Sequence, residues 1–167
     1  SLMVLNLDGA SGVTDSGLAN FQNCKRLTEL SLYDVRVTDG GLAHFKGCQN
    51  LKVLYLTGHH ATDSGIRFIT DAGLANFVEC KKLNSLTILY GFKITDSGLA
   101  NFQGCRDLTR LHLDCPLMTT DGLSVFAICS ELTYLGLQSP NVADAAVSLL
   151  EKNENLGSLV LRSTGVT

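Results

Sequence analysis

With 167 residues, 45% of them hydrophobic and 17% charged, the chain has the apolar content of a folded core and too little charge for a disordered segment. A net charge of −3 without any run of basic residues leaves no footprint for a phosphate backbone, so nucleic acid is not an expected partner. No apolar stretch approaches the ~18 residues of a membrane span, and Ser1-Leu2-Met3-Val4-Leu5-Asn6 lacks the blocks of a signal peptide.

The chain opens on a Leu-x-x-Leu-x-Leu pattern at Leu2. The pattern returns at Leu27, Leu51, Leu83, Leu108, Leu132 and Leu156, with Ile88 once in the third place. The intervals are 25, 24, 32, 25, 24 and 24 residues, the mark of a stacked repeat. Within each period the alternation, as in Leu30-Ser31-Leu32 and Leu111-His112-Leu113, reads as a short strand buried on one face. A turn follows, and then Val/Ile-Thr-Asp-x-Gly-Leu-Ala-x-Phe-x-x-Cys, first met from Val13 to Cys24. Asp15 stands where a helix N-cap is expected, and Leu18, Phe21 and Cys24 share one helical face. The glycine in the first turn weakens an isolated helix, which predicts close packing against the neighbouring coil. One such unit cannot bury its own apolar face. Stacking does, and predicts an α/β solenoid with a parallel concave sheet of about seven strands, ~4.8 Å apart, and convex helices.

The second period repeats the first, with His44 where Asn20, Asn76 and Asn101 stand elsewhere. The third carries the cap motif twice, at Thr62-Asp63-Ser64-Gly65-Ile66 and Thr70-Asp71-Ala72-Gly73-Leu74. This predicts an eight-residue insertion on the convex side, formed as an extra helical turn. The chain begins on a strand and stops at Gly165-Val166-Thr167, without a polar capping unit at either end. The expectation is a single domain over residues 1–167 that is a fragment of a longer array, with end-to-end self-association through its uncapped ends.

The leucine register together with Thr-Asp-x-Gly-Leu resembles the leucine-rich-repeat superfamily over essentially the whole chain. It is most similar to the cysteine-containing and ribonuclease-inhibitor-like subclasses, found in F-box substrate receptors and many bacterial repeat proteins. It departs from the cysteine-containing subclass three positions after the last strand leucine. There Ala10, Val35, His59, Gly91, Pro116, Pro140 and Thr164 replace a ladder of Cys or Asn. The resemblance implies a horseshoe that binds a protein partner. It also admits a substrate-recognition segment of a larger ubiquitin-ligase-type or effector protein.

Recurring acids suggest chemistry, but Asp15, Asp39, Asp63, Asp71, Asp96 and Asp144 all share the cap position, where a carboxylate accepts backbone N–H groups. No acid–base pair of carboxylates remains at a recurrent spacing. Cys24, Cys48, Cys80, Cys105 and Cys129 each precede a repeat's first leucine by three, and Asn153 takes the place in the last period. Such spacing predicts a stacked column of buried thiols, suited when unbridged to the reducing cytoplasm. Cys115, in a turn, is the thiol expected to meet a labelling reagent. His59 and His60 are adjacent, which suits no common single-metal geometry, and His112, Asp114 and Cys115 lack the spacing of a metal or nucleophile cluster. No nucleophile elbow, phosphate loop or dinucleotide fingerprint is present, so neither catalysis nor a cofactor is expected.

Alternation also assigns the binding face. If the repeat leucines point inward, the residues between them point onto the concave sheet. From these, Tyr33, Tyr55, Leu89, Arg110, His112, Asp114, Tyr134 and Arg162 are the candidate partner contacts, with Tyr90 at the rim. All four tyrosines fall there and none of the seven phenylalanines does. Phe21, Phe45, Phe77, Phe102 and Phe126 lie in the core register, three before the cysteines. Interfaces enrich Tyr and Arg, although Tyr also favours half-exposed strands for its own sake. Seven strands of about five residues offer roughly 500 Å² of flat sheet, less than the ~800 Å² per partner of a standard interface, so the rims are needed too.

Overall fold

Leucines two apart on an extended chain share one side of it, and in the computed structural model these segments assemble into one parallel sheet of seven strands. The structure describes residues 2–57, 59–62, 65–142 and 153–162. In chain order the strands are β1 (Val4–Asn6), β2 (Glu29–Leu32), β3 (Val53–Thr57), β4 (His59–Thr62), β5 (Gly65–Phe68), β6 (Ser85–Leu89), β7 (Arg110–Asp114), β8 (Tyr134–Gln138) and β9 (Ser158–Arg162). The sheet runs β1-β2-β3-β6-β7-β8-β9, each neighbour one repeat further on, while β4 and β5 pair only with each other. Leu30, Leu54, Leu86, Leu111, Leu135 and Leu159 fall in one column of that register. The α/β solenoid expected from the periodicity, with seven parallel strands in one open sheet, is the architecture found.

The convex side is built from single turns. The helices α1 (Asp15–Leu18), α2 (Asp39–Leu42), α3 (Asp71–Leu74) and α4 (Asp96–Leu99) each pass into a 3₁₀ turn, and α5 is Thr120–Ser124. Their N-caps are not the aspartates. Thr38, Thr70 and Thr95, one residue earlier, and Thr119, ahead of Thr120 in α5, have the extended backbone of a cap, and their side chains accept from the N–H two residues on.

The aspartates are already helical, and their carboxylates bind the next repeat instead. Asp15, Asp39, Asp71 and Asp96 each accept the backbone N–H of the following repeat's cap threonine at 2.8 Å. The threonine hydroxyl donates to the other oxygen at 2.5–2.6 Å. Asp63 and Asp144 lie outside the described residues. The glycines follow from this ladder. A Cβ on Gly41, Gly73, Gly98 or Gly122 would fall on the carboxylate of Asp15, Asp39, Asp71 or Asp96 respectively. The close packing read from the glycine holds, and its cause is the carboxylate.

Inside the coil, Phe45, Phe77, Phe102 and Phe126 are buried with the repeat leucines from Leu27 to Leu137, whereas Leu2 and Leu159 of the terminal repeats are exposed. The cysteines stack as the spacing predicts. The thiols of Cys48, Cys80, Cys105 and Cys129 each donate to the carbonyl of the preceding cysteine at 3.2–3.5 Å, and Asn153 Nδ2 donates to Cys129 O in the same column.

Two expectations are corrected here. Cys115 is fully buried, not reachable, and burial pushes its thiol far above the ordinary range. Gly9, Asp34 and Tyr90 leave their strands with φ of 70°, 53° and 55°. Cys115 and Ser139, in the same place one repeat and two repeats further on, precede Pro116 and Pro140, which hold a preceding residue extended. Their side chains turn inward and are buried. The insertion, for its part, is not a helical turn. Residues 59–62 and 65–68 form an antiparallel hairpin, pairing His59 with Phe68 and Thr62 with Gly65. It lies between β3 and α3 in the chain. The Asp39 carboxylate captures Thr70 and makes the second cap motif the helix start. Freed from that role, a segment with Thr62, Ile66 and Phe68 takes the strand its β-branched and aromatic residues favour.

Candidate binding surface

The side chains between the leucines reach the concave face, where they form three groups. At β1–β3, Asp8 Oδ1 accepts the Ser31 hydroxyl at 2.6 Å and the Tyr33 N–H at 2.9 Å. Thr57 Oγ1 accepts the Asp34 N–H at 3.1 Å. These bonds fix the strand ends, and the Tyr33 and Tyr55 rings meet with centroids 5.6 Å apart, tilted by 36°. Burial, then the Tyr33 and Asp8 charges, push the Tyr55 phenol above its ordinary range, so it stays a neutral hydrogen-bonding group.

The second group stands on the rim after β6. Tyr90 is 44% exposed with its backbone in the left-handed region, a conformation bulky residues rarely take. Its N–H donates to Asp114 Oδ2 at 3.2 Å, across from the next repeat. Its ring lies 6.2 Å from that of Phe92, which is itself 41% exposed. Phe92 is the residue missed from sequence, where every phenylalanine was assigned away from this surface. The signal was present, because Phe92 does not stand three residues before a cysteine of the column. Leu89 is half-buried beside them.

The third group spans β7 and β8. The Arg110 guanidinium sits 3.9 Å over the centre of the Tyr134 ring, and His112 meets the same ring edge-on at 5.9 Å. A Cβ at Gly136 would lie 2.8 Å from His112 Cδ2 and 2.9 Å from the Tyr134 hydroxyl, so both side chains close over bare backbone. Burial, then Arg110, hold the His112 imidazole below its ordinary range, against the pull of Asp114.

Asp114 itself is withdrawn from the surface. It is only 6% exposed, its Oδ1 is buried without a partner among the described residues, and burial pushes its carboxyl above the ordinary range. The sequence expectation of Asp114 as a partner contact is therefore corrected. It supports Tyr90 from below. Arg162 is exposed on β9, opposite Gln138 in the register.

Among the described residues, no three His, Cys, Asp or Glu side chains converge as metal ligands would, and no helix is long and apolar enough to cross a membrane.

Comparison with known proteins agrees with this geometry. The family described as the BspA type leucine rich repeat region matches residues 4–75 and 68–166, with six copies. Among solved structures the chain is similar to internalin C2 from Listeria monocytogenes str. 4b F2365. The TM-score is 0.63 and the identity 19%, over 98% of this chain and 73% of that one. It is similar also to an internalin (inlF) of the same strain, with a TM-score of 0.53 and 20% identity, over 99% of this chain and 56% of that one. The chain thus spans little more than half the length of the second protein. No curated protein matches. The resemblance to the cysteine-containing and ribonuclease-inhibitor-like subclasses is not upheld. The residues that carried it, the recurrent Thr-Asp-x-Gly and the cysteines, are accounted for by the two inter-repeat ladders. With its periodic strands, its stacked coils and a family match running through nearly all of its length, the chain belongs to the BspA-type leucine-rich-repeat family.

Proposed function

We propose that this chain is a protein-binding scaffold that engages its partner through the concave strand face and the Tyr90–Phe92 rim. The observation that carries the reading is the sorting of aromatic side chains. Four phenylalanines are sealed in the core, whereas Tyr33, Tyr55, Tyr90 and Tyr134 stand on one surface with Arg110 and His112 packed beside them. Tyrosine offers apolar area and a wet hydroxyl at once, and arginine stacked on tyrosine is a common energetic centre of protein interfaces. The rim also answers the small area of the flat sheet, since Tyr90 and Phe92 extend the apolar contact beyond the strand ends.

Displayed random peptides of about twelve residues, long enough to cross the sheet, provide the test. Peptides selected on this chain should lose roughly tenfold or more in affinity on the Tyr55→Ala and Tyr134→Ala proteins, as truncated interface anchors do. Both variants should keep the parent's circular dichroism and melting temperature. Selected peptides that ignore both substitutions would remove the concave face from consideration.

A further inference from the structure

Within the face proposed above, the half formed by β7–β9 differs in charge from the rest of the molecule. The chain carries a net charge of −3, and the acids Asp8 and Glu29 lie at the β1–β2 end. The outward positions of β7–β9 instead hold Arg110, His112 and Arg162, and their one acid, Asp114, is buried beneath them. Among the described residues, neither Arg110 nor Arg162 is paired with a carboxylate. The Tyr134 ring occupies one face of the Arg110 guanidinium at 3.9 Å and so orients its N–H edge, the part that meets a planar carboxylate in two parallel bonds.

We infer that this half of the face selects an acidic polypeptide segment, whose carboxylates meet Arg110 and Arg162 on either side of Tyr134. The inference rests on the scaffold reading and gives its partner a chemistry. Arg110 and Arg162 stand two strands and four positions apart in the register, at opposite corners of β7–β9. That is about 16 Å at the backbone, the span of roughly five residues of extended peptide. A segment with acids at about that spacing and an apolar residue between them reaches both guanidiniums while covering Tyr134 and the half-buried Val160. A uniformly charged phosphate chain fits less well, because the acidic end of the same face repels it. Gly136 is the positioning residue, since any side chain there displaces His112 and Tyr134, and with Tyr134 the platform under Arg110.

The same displayed peptides decide the matter when selected at low salt. Expected are sequences enriched in Glu and Asp about five residues apart. Their binding should fall roughly tenfold on each of Arg110→Gln and Arg162→Gln, as loss of a charge-assisted contact implies. It should also fall on Gly136→Ala and should not fall on Glu29→Gln. Gly136→Ala presses only on movable side-chain ends, so a matching melting temperature separates lost positioning from lost folding. Peptides without acidic enrichment that still depend on Tyr55 and Tyr134 would overturn the inference and leave the scaffold reading standing. Tighter binding by an oligothymidylate of equal charge would overturn it in favour of phosphate recognition.

Discussion

Asp114 is satisfied on one side only. Its Oδ2 takes the Tyr90 N–H and holds a bulky residue in the left-handed region, while its Oδ1 is buried without a partner among the described residues. A buried carboxylate so placed costs stability in its charged form. Asp114→Asn keeps an acceptor for Tyr90 and removes the charge, so it should raise the melting temperature at pH 7. The folded carboxyl titrates above its ordinary 3.8, so the penalty is present above the folded value and absent below 3.8. The advantage of the variant should therefore shrink as pH falls into that range, and thermal melts of both proteins between pH 7 and pH 3.5 check it. An advantage that grows on acidification would refute the assignment. At this scale the sequence was partly legible. Alternation told which side of the sheet each residue faces, and the four tyrosines are where it put them. It could not tell what lies over or under a residue once there, because that depends on neighbours a repeat away. Asp114 sank beneath Tyr90, Cys115 turned inward ahead of Pro116, and Phe92 stood outside any period.

The short convex turns make a sharper test, because α1 and α4 have the same sequence, Asp-Ser-Gly-Leu. In α4 a Cβ at Gly98 collides with the Asp71 carboxylate, which is bound to Thr95. In α1 the nearest atom to a Cβ at Gly17 is Val13 Cγ1, at 3.8 Å. Gly98→Ala should cost about 1–3 kcal/mol, the range of an overpacked site. Gly17→Ala should leave stability unchanged or raise it by up to ~1 kcal/mol, through helix propensity alone. Urea denaturation of the pair settles this, and equal effects of one sign would show that the carboxylate ladder is not what excludes the side chain. The helix starts were legible to within one residue. Thr and Asp both make good caps, and what separates them here is a bond to another repeat about two dozen residues away, which no local pattern carries.

At the level of the whole solenoid the period was legible because it is long-range information written along the chain: residues one period apart are neighbours in space. The insertion was found by the same logic and its shape was not, since periodicity says nothing about a segment that leaves the period. Removing residues 61–68 would restore the 24-residue spacing between Leu51 and Leu83. The shortened protein should still unfold in one transition, within roughly 8 °C of the parent, because the ladders of β3, β6, α2 and α3 do not pass through the hairpin. Loss of cooperative melting would show that the hairpin supports the coil.

Among the described residues, the carboxylates of Asp15, Asp39, Asp71 and Asp96 all reach forward to the next coil. Each of these four coils therefore offers a plug to the coil that follows it, and that coil's threonine is the socket. A gene encoding such a chain lengthens or shortens cleanly by whole units, whereas a fractional duplication leaves a plug facing no socket. Reach, and with it the size of target embraced, becomes a trait that copying errors adjust in discrete steps without disturbing how any coil is made.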